Sequence, residues 1–519
     1  MKHQSLALSV CAMVCSSLFL PFSINAQSTN AQSTATTPPA PRAVTVDDAF
    51  EIREVRDPQI TDDGKWVAYT VSSASLKDDK SETRIWMAPT SAGGEAIALT
   101  AEKVSSSHPR WSPDGRYLAF LSKRNEGKTQ VWLLNRMGGE AQQLTETIQD
   151  VDDFAWSPDG KRLVLVLQDP SPEDVEEAKN KDKDKPGGDK DAKSKKPKTP
   201  RPMVVDRYRF KSDTVGYLNH QRTHLYVFDV ATKAVTPITS GDFDDEDPAW
   251  SLDGMSLAFA SNRSTPDPDR TYDSNIWVVA AGNTDKGAHL TQVTTNPGFD
   301  GHPEWSPDGQ WIAYVTQLDP KLLVYATHHI AVSPATGGAA KVITQSLDRM
   351  SRAPHFSPDG KSIYFIADDD GSLNLCQVPV AGGEVVRPIS GRVLLSAYSV
   401  AKSGEIAAQI TSLDRPSEIF STAGGPLLRV THVNDTFMAK IRVVTPEYVK
   451  FKSKDGTAVA GYLYKPLDYV AGKKYPTLLY PHGGPVWAYY GEFNHFAQIF
   501  AANGYLILES NPCCSIGYG

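Results

Sequence analysis

The sequence predicts a mainly β protein, a seven-bladed β-propeller followed by the N-terminal part of an α/β domain. Three observations carry this reading. The motif Trp-Ser-Pro-Asp-Gly occurs at 111–115, 156–160 and 305–309, with variants at 250–254 (Leu252 for Pro) and 356–360 (Phe356 for Trp), and fainter ones at 61–64 and 401–404. A short alternating apolar run follows, as in Tyr117-Leu118-Ala119-Phe120 and Trp311-Ile312-Ala313-Tyr314. From Pro446 the repeat stops, and strand, glycine loop, helix and strand patterns replace it.

The motif reads as a type I turn, in which Pro presets its own φ and Gly relieves the exit. Two-residue alternation after the turn is the signature of a strand. A second strand follows, as in Val131-Trp132 and Ile276-Trp277-Val278, and a last one comes after small-residue turns such as Gly138-Gly139 and Gly337-Gly338. Four short strands per repeat make one propeller blade. Seven units fit between about Asp57 and Thr431. A β-sandwich has no reason to space one turn so evenly. The propeller is therefore assigned to 45–444. Its third unit is stretched by an insertion at 169–202, rich in Lys, Asp, Glu and Pro, which is expected to be a disordered loop. Acids and bases nearly balance there, so a solvated loop is favoured over a basic binding tail.

The N-terminus reads as an export signal at 1–26, with Lys2 and His3 before an apolar run and Ala26 at the cleavage point, followed by a low-complexity linker at 27–44. The apolar run is too short for a membrane span, and the protein is expected in the periplasm or outside the cell. Of the five cysteines, Cys11 and Cys15 lie in the signal, without the small preceding residue of a lipid-anchor site. Cys376, Cys513 and Cys514 cannot make a closed disulfide framework. A formal charge of −8 carries no basic nucleic-acid footprint. No zinc spacing is present, and no metal or cofactor is called for. The run Asp368-Asp369-Asp370-Gly371 half matches a calcium loop and is read as a solvated turn.

The C-terminal part, 445–519, is the most chemical. A hairpin around Asp455-Gly456 precedes a strand over 475–480 that reads as buried. His482-Gly483-Gly484-Pro485 follows, then Phe493, Phe496, Ile499 and Phe500 at helical spacing, Gly504, and a strand from Tyr505. This order is the start of an α/β-hydrolase sheet. In it the glycine loop points a backbone N–H at the substrate carbonyl, so Gly484, with Gly483, is the candidate oxyanion-hole element. A tight turn without chemistry is the plainer reading of His-Gly-Gly taken alone.

Propeller motifs, His-Gly-Gly-Pro and the terminal Gly517-Tyr518-Gly519, in this order, resemble the prolyl oligopeptidase family of serine peptidases. The chain is most similar to its acylaminoacyl-peptidase and dipeptidyl-peptidase branch, which the run from Tyr208-Arg209-Phe210 to His224-Leu225-Tyr226-Val227 also resembles. The resemblance implies hydrolysis of short peptides by a Ser/His/Asp triad, with the propeller restricting entry. No Gly-x-Ser-x-Gly occurs, so the triad is expected beyond Gly519, and no catalytic residue is assigned within the chain. The chain alone is expected to be inactive. Cys513-Cys514 stands where relatives carry Arg-Gly. The alternative is an exported TolB-like propeller that binds peptides or proteins.

Overall fold

A computed structural model describes residues 40–519 except 92, 125–126, 172–174, 177–203, 214, 264–266, 424, 485 and 519. The export signal, nearly all of the linker and most of the 169–202 insertion lie outside the described residues.

Seven four-stranded antiparallel units follow one another. Blade 1 opens with Glu54–Ile60, blade 2 with Ser106–Trp111, blade 3 with Val151–Trp156 and blade 4 with Asp245–Trp250. Blades 5, 6 and 7 open with Asp300–Trp305, Ser351–Phe356 and Val393–Val400. Each blade takes its strands in chain order, blade 3 across the insertion, and among the described residues no strand crosses over to lock blade 7 onto blade 1. Side chains close the ring instead. Ser417 Oγ accepts from Val55 N (3.2 Å) and donates to Val55 O (2.9 Å), and Ser399 Oγ accepts from Ile60 N (3.0 Å). The apolar faces of neighbouring blades meet in shared cores; Val67, Tyr69, Ala407 and Ile419 form the one between blades 1 and 7.

The repeated motif has two jobs. Within the turn, Ser112 Oγ donates to Asp114 Oδ1 (2.6 Å) and accepts from Tyr117 N (3.0 Å), while Gly115 takes φ +65°. Ser157, Ser251, Ser306 and Ser357 repeat the bond to their Asp partners. Between blades, the motif Trp reaches back. Trp111 Nε1 donates to Gln59 O (2.9 Å), Trp156 to Arg110 O (3.3 Å), Trp250 to Ala155 O (3.2 Å) and Trp305 to Ala249 O (3.1 Å). Each acceptor is the penultimate residue of the preceding blade's first strand. Phe356 has no such donor, and there the Glu304 carboxylate takes up Phe356 N and His355 Nδ1, both at 2.9 Å.

The first strands of five blades also carry a bulge that the sequence reading missed. Asp57, His108, Asp247, His302 and Ala353 all have φ between +51° and +57°, and the strand register shifts beside each. Each is followed by a proline, a residue that strands tolerate at bulges because it cannot donate to the ladder. The bulges set up pairs between successive blades, Arg110 with Asp57 (3.0 Å) and His302 with Asp247 (2.9 Å).

After the propeller come four strands of a second sheet: β1 (Glu447–Lys452), β2 (Ala458–Tyr464), β3 (Thr477–Pro481) and β4 (Leu506–Asn511). Their order is β1-β2-β4-β3, with β3 parallel to β4 and the other pairs antiparallel. Helix α1 (His495–Ala502) makes the β3-to-β4 crossover that a parallel pair requires. Asn494 caps it by accepting from Ala497 N (3.2 Å), and Gly504 ends it at φ +87°. Tyr462, Tyr464, Ala497, Ala501 and Ile507 form the core beneath. Strand β3 was expected to be buried; it is the edge of this sheet and is mostly exposed. The reason is topological, since no other described strand pairs with its free side.

Candidate functional site

The site is built where β3 ends. The chain leaves Pro481, passes His482-Gly483-Gly484, and is then anchored by Ala488 and Tyr490, which are buried in the core shared by blades 6 and 7. The propeller therefore holds one end of the glycine loop and β3 holds the other.

The two glycines differ. Gly484 has φ +133°, and a Cβ there would sit 2.7 Å from Val486 N. Only glycine fits without moving the loop. Gly483 has no such constraint, with nothing within 4 Å of a Cβ. Both are exposed, and among the described residues neither N–H meets a backbone or side-chain acceptor. A free, exposed N–H at the C-terminal end of a strand is what an oxyanion donor requires.

A serine and a histidine meet here that sequence reasoning did not single out. His482 Nε2 lies 2.8 Å from Ser515 Oγ, and His482 Nδ1 lies 2.8 Å from Gly483 O. The pair lacks the features of a catalytic dyad. Ser515 is buried, and its hydroxyl donates to Pro512 O at 2.7 Å. The single hydroxyl proton of Ser515 has Pro512 O as an acceptor as well as the His482 ring, and a carbonyl, not a carboxylate, faces the other ring nitrogen. The contact ties the glycine loop to the turn after β4.

The run Asp368-Asp369-Asp370-Gly371 is not a solvated turn. It is the point on blade 6 where the second sheet docks. Asp368 is fully buried, pairs with Arg352 and accepts from Tyr490 Oη at 2.5 Å. Asp370 Oδ1 accepts from Tyr448 Oη (2.6 Å), and Arg392 stacks 3.6 Å over the Tyr448 ring. Burial opposes the charge on Asp370, but Tyr448, Lys450 and Arg392 together hold its carboxyl below the ordinary range. Gly371 O accepts from Tyr462 Oη (2.6 Å) and Gly491 N (2.9 Å). Gly517 O accepts from Asp370 N (2.9 Å), which gives the terminal Gly-Tyr motif a docking role. The carboxylates were misread because their partners beyond the propeller, Tyr448, Lys450, Tyr490 and Gly517, lie some 80 to 150 residues away in the chain.

Two further carboxyls sit behind the loop. Glu509, on β4, is 1% exposed and accepts from Asn494 Nδ2 at 2.5 Å. Burial, with repulsion from Glu492, pushes it up to about 8, and burial alone pushes Glu492 up to about 7. Glu492 lines a cavity of about 480 Å³ between the propeller and the second sheet, together with Arg53, Arg56, Gln409, Phe493 and His495.

Known proteins match this arrangement. Residues 80–285 match the Tricorn protease N-terminal beta propeller domain, and 215–385 the TolB beta propeller domain. The chain is 29% identical over 492 residues to the uncharacterized peptidase YuxL of Bacillus subtilis, covering 92% of this chain and 72% of that protein. Dipeptidyl-peptidase 5 of Porphyromonas gingivalis is 23% identical over 481 residues, covering 90% of this chain and 67% of that one. The acylaminoacyl peptidase of Pyrococcus horikoshii superposes with a TM-score of 0.69 at 21% identity, covering 91% of this chain and 67% of its own. The relatives it matches are peptidases, and the prolyl oligopeptidase family fits the chain. Among the described residues, no helix is long and apolar enough to cross a membrane.

Proposed function

We propose that this exported chain is the propeller and oxyanion-loop portion of a serine peptidase that cleaves short peptides, acting in the manner of an acylaminoacyl- or dipeptidyl-peptidase. The observation that carries the reading is Gly484, whose backbone N–H stands free in a conformation that only glycine adopts readily, on a loop clamped between β3 and blades 6 and 7. Acyl transfer places a negative charge on the former carbonyl oxygen, and a fixed donor aimed there lowers the barrier. A module that only binds has no use for such a loop, which sets the peptidase reading above the TolB-like one.

On this reading the loop supplies one of the two donors of an oxyanion hole, the sequence has no Gly-x-Ser-x-Gly, and the serine met at the loop, Ser515, is not an activated nucleophile. By themselves the 519 residues should not turn over peptides. The test is labelling with a serine-reactive phosphonate, run on the 519-residue chain and on a chain extended through a Gly-x-Ser-x-Gly strand–turn–helix. Labelling and peptide hydrolysis should appear in the extended chain alone. Stoichiometric labelling of Ser515 in the shorter chain, abolished by Ser515→Ala, would overturn the assignment. An extended chain that labels yet cleaves no short peptide would reject the substrate class.

A further inference from the structure

Cys513 and Cys514 take no part in the site described above, yet their geometry is specific. They lie in the turn that leaves β4, both exposed, with their sulfurs 3.3 Å apart. The turn is tied down on each side. Ser515 N donates to Pro512 O at 3.2 Å, Ser515 Oγ donates to the same oxygen, and Ile516 N donates to Trp487 O at 3.1 Å. Cys514 is held at φ +74°, a left-handed conformation that non-glycine residues seldom adopt. Two thiols are thus held facing each other on a pinned turn and open to solvent.

Two chemistries suit a facing dithiol, binding of a soft metal ion and oxidation to a disulfide. Zinc-like sites need three or four protein ligands. Among the described residues no group of three or more His, Cys, Asp or Glu is placed to hold a metal ion, so the pair has no further ligand to recruit. Oxidation needs only the two sulfurs.

We propose that Cys513 and Cys514 form a redox-active vicinal dithiol, which closes into an intrachain disulfide by exchange with a small-molecule disulfide of the glutathione type. One cysteine thiolate attacks a sulfur of the external disulfide, forms a mixed disulfide and expels one glutathione thiolate. The second cysteine thiolate then attacks the cysteine sulfur of that mixed disulfide and expels the other. Two cysteine thiols are oxidised, one external disulfide is reduced, and the two cysteine protons end on the two glutathione thiols. The Cα atoms of adjacent residues are about 3.8 Å apart, short of the span of about 4.4–6.8 Å that relaxed disulfides prefer. The ring is therefore strained and easily reduced, which makes the site reversible and not a structural staple. Cys376 is buried, with its thiol pushed up to about 11 by burial, and serves as an internal control. This inference does not depend on the peptidase reading.

The experiment equilibrates the native 519-residue chain in graded mixtures of oxidised and reduced glutathione, then quenches it in acid. The chain is alkylated after unfolding, digested with trypsin, and the peptide after Lys474, which carries both cysteines, is weighed. That peptide should pass from doubly alkylated to unalkylated and two hydrogens lighter in a single transition, reversed by dithiothreitol, while Cys376 stays alkylated throughout. Cys513→Ser and Cys514→Ser should each stop at a single mixed disulfide. Glutathione persisting on either cysteine of the unsubstituted chain would overturn the proposal. So would a disulfide-linked dimer, or full double alkylation in the most oxidising mixture.

Discussion

Tyr490 donates its hydroxyl to Asp368 across 2.5 Å, joining residues 122 apart in the chain. Asp368 closes the second strand of blade 6, and Tyr490 stands just beyond the glycine loop. The bond fixes the loop to the propeller at a buried carboxylate. Removing the hydroxyl in Tyr490→Phe leaves Asp368 with Arg352 but short of one donor. A hydrogen bond to a charged group is worth about 1.5–3 kcal/mol, and the urea midpoint should fall by a corresponding amount. An unchanged midpoint would mean that Arg352 alone satisfies the carboxylate.

The propeller was legible because its information is local. Ser112, Pro113, Asp114 and Gly115 make their turn with one another, so any five-residue window displays it. Even the fainter copy works this way, with Thr61 donating to Asp63 at 2.6 Å. Why the motif begins with Trp was not legible, since the acceptor of Trp305 Nε1 is Ala249, 56 residues earlier. The same limit hid the docking role of Asp368 and Asp370 and the contact of His482 with Ser515. Each looks like an ordinary polar residue until a distant segment is placed against it. The glycine loop lay between these cases. The sequence offers Gly484, with Gly483, as the candidate, and the fold separates the two physically, since Gly484 takes a conformation that needs glycine and Gly483 does not.

That separation predicts an asymmetry. Gly484→Ala puts a Cβ 2.7 Å from Val486 N at φ +133°, so the loop must shift. The strain should cost about 1–3 kcal/mol. In an active extended chain it should lower turnover on the order of a hundredfold, as loss of an oxyanion donor does. Gly483→Ala meets open space and should behave nearly as the unsubstituted chain in both measurements. Equal effects of the two substitutions would remove the special role assigned to Gly484.

Glu509 makes stability fall as pH rises. Its folded-state value of about 8 lies above the ordinary 4.5, so over that interval the folded chain keeps a proton that the unfolded chain has released. The protonated carboxyl favours folding fully below the lower value, and the benefit is lost as pH rises through the upper one. Glu492, at about 7, acts in the same direction. Glu509→Gln keeps an acceptor for Asn494 and removes the titration. The variant should match the unsubstituted chain near about pH 4 and exceed it by about 3–5 kcal/mol near about pH 9. Denaturation midpoints measured across that range check it, and parallel curves would show that Glu509 is ionised in the folded state without penalty.

Strand β3 governs solubility. It is the sheet edge, Leu479 on it is 66% exposed, and Tyr480 stacks 4.8 Å from the half-exposed Phe496. An edge with unpaired backbone groups and apolar side chains is a template for another chain to pair on. Its neighbour β4 is mostly buried, and α1 turns Ala497 and Ala501 into the core, so the hazard sits at the edge and not in the core. Leu479→Lys should therefore reduce light scattering and binding of hydrophobic dyes at a given concentration. It should leave the urea midpoint within about 0.5 kcal/mol, because an exposed side chain contributes little to folding. A chain ending near residue 445, which lacks the edge, should behave like the lysine variant. If Leu479→Lys scatters as much as the unsubstituted chain while the shorter chain stays clear, association runs through the Tyr480–Phe496 face, and Phe496→Ser should then be the substitution that suppresses it.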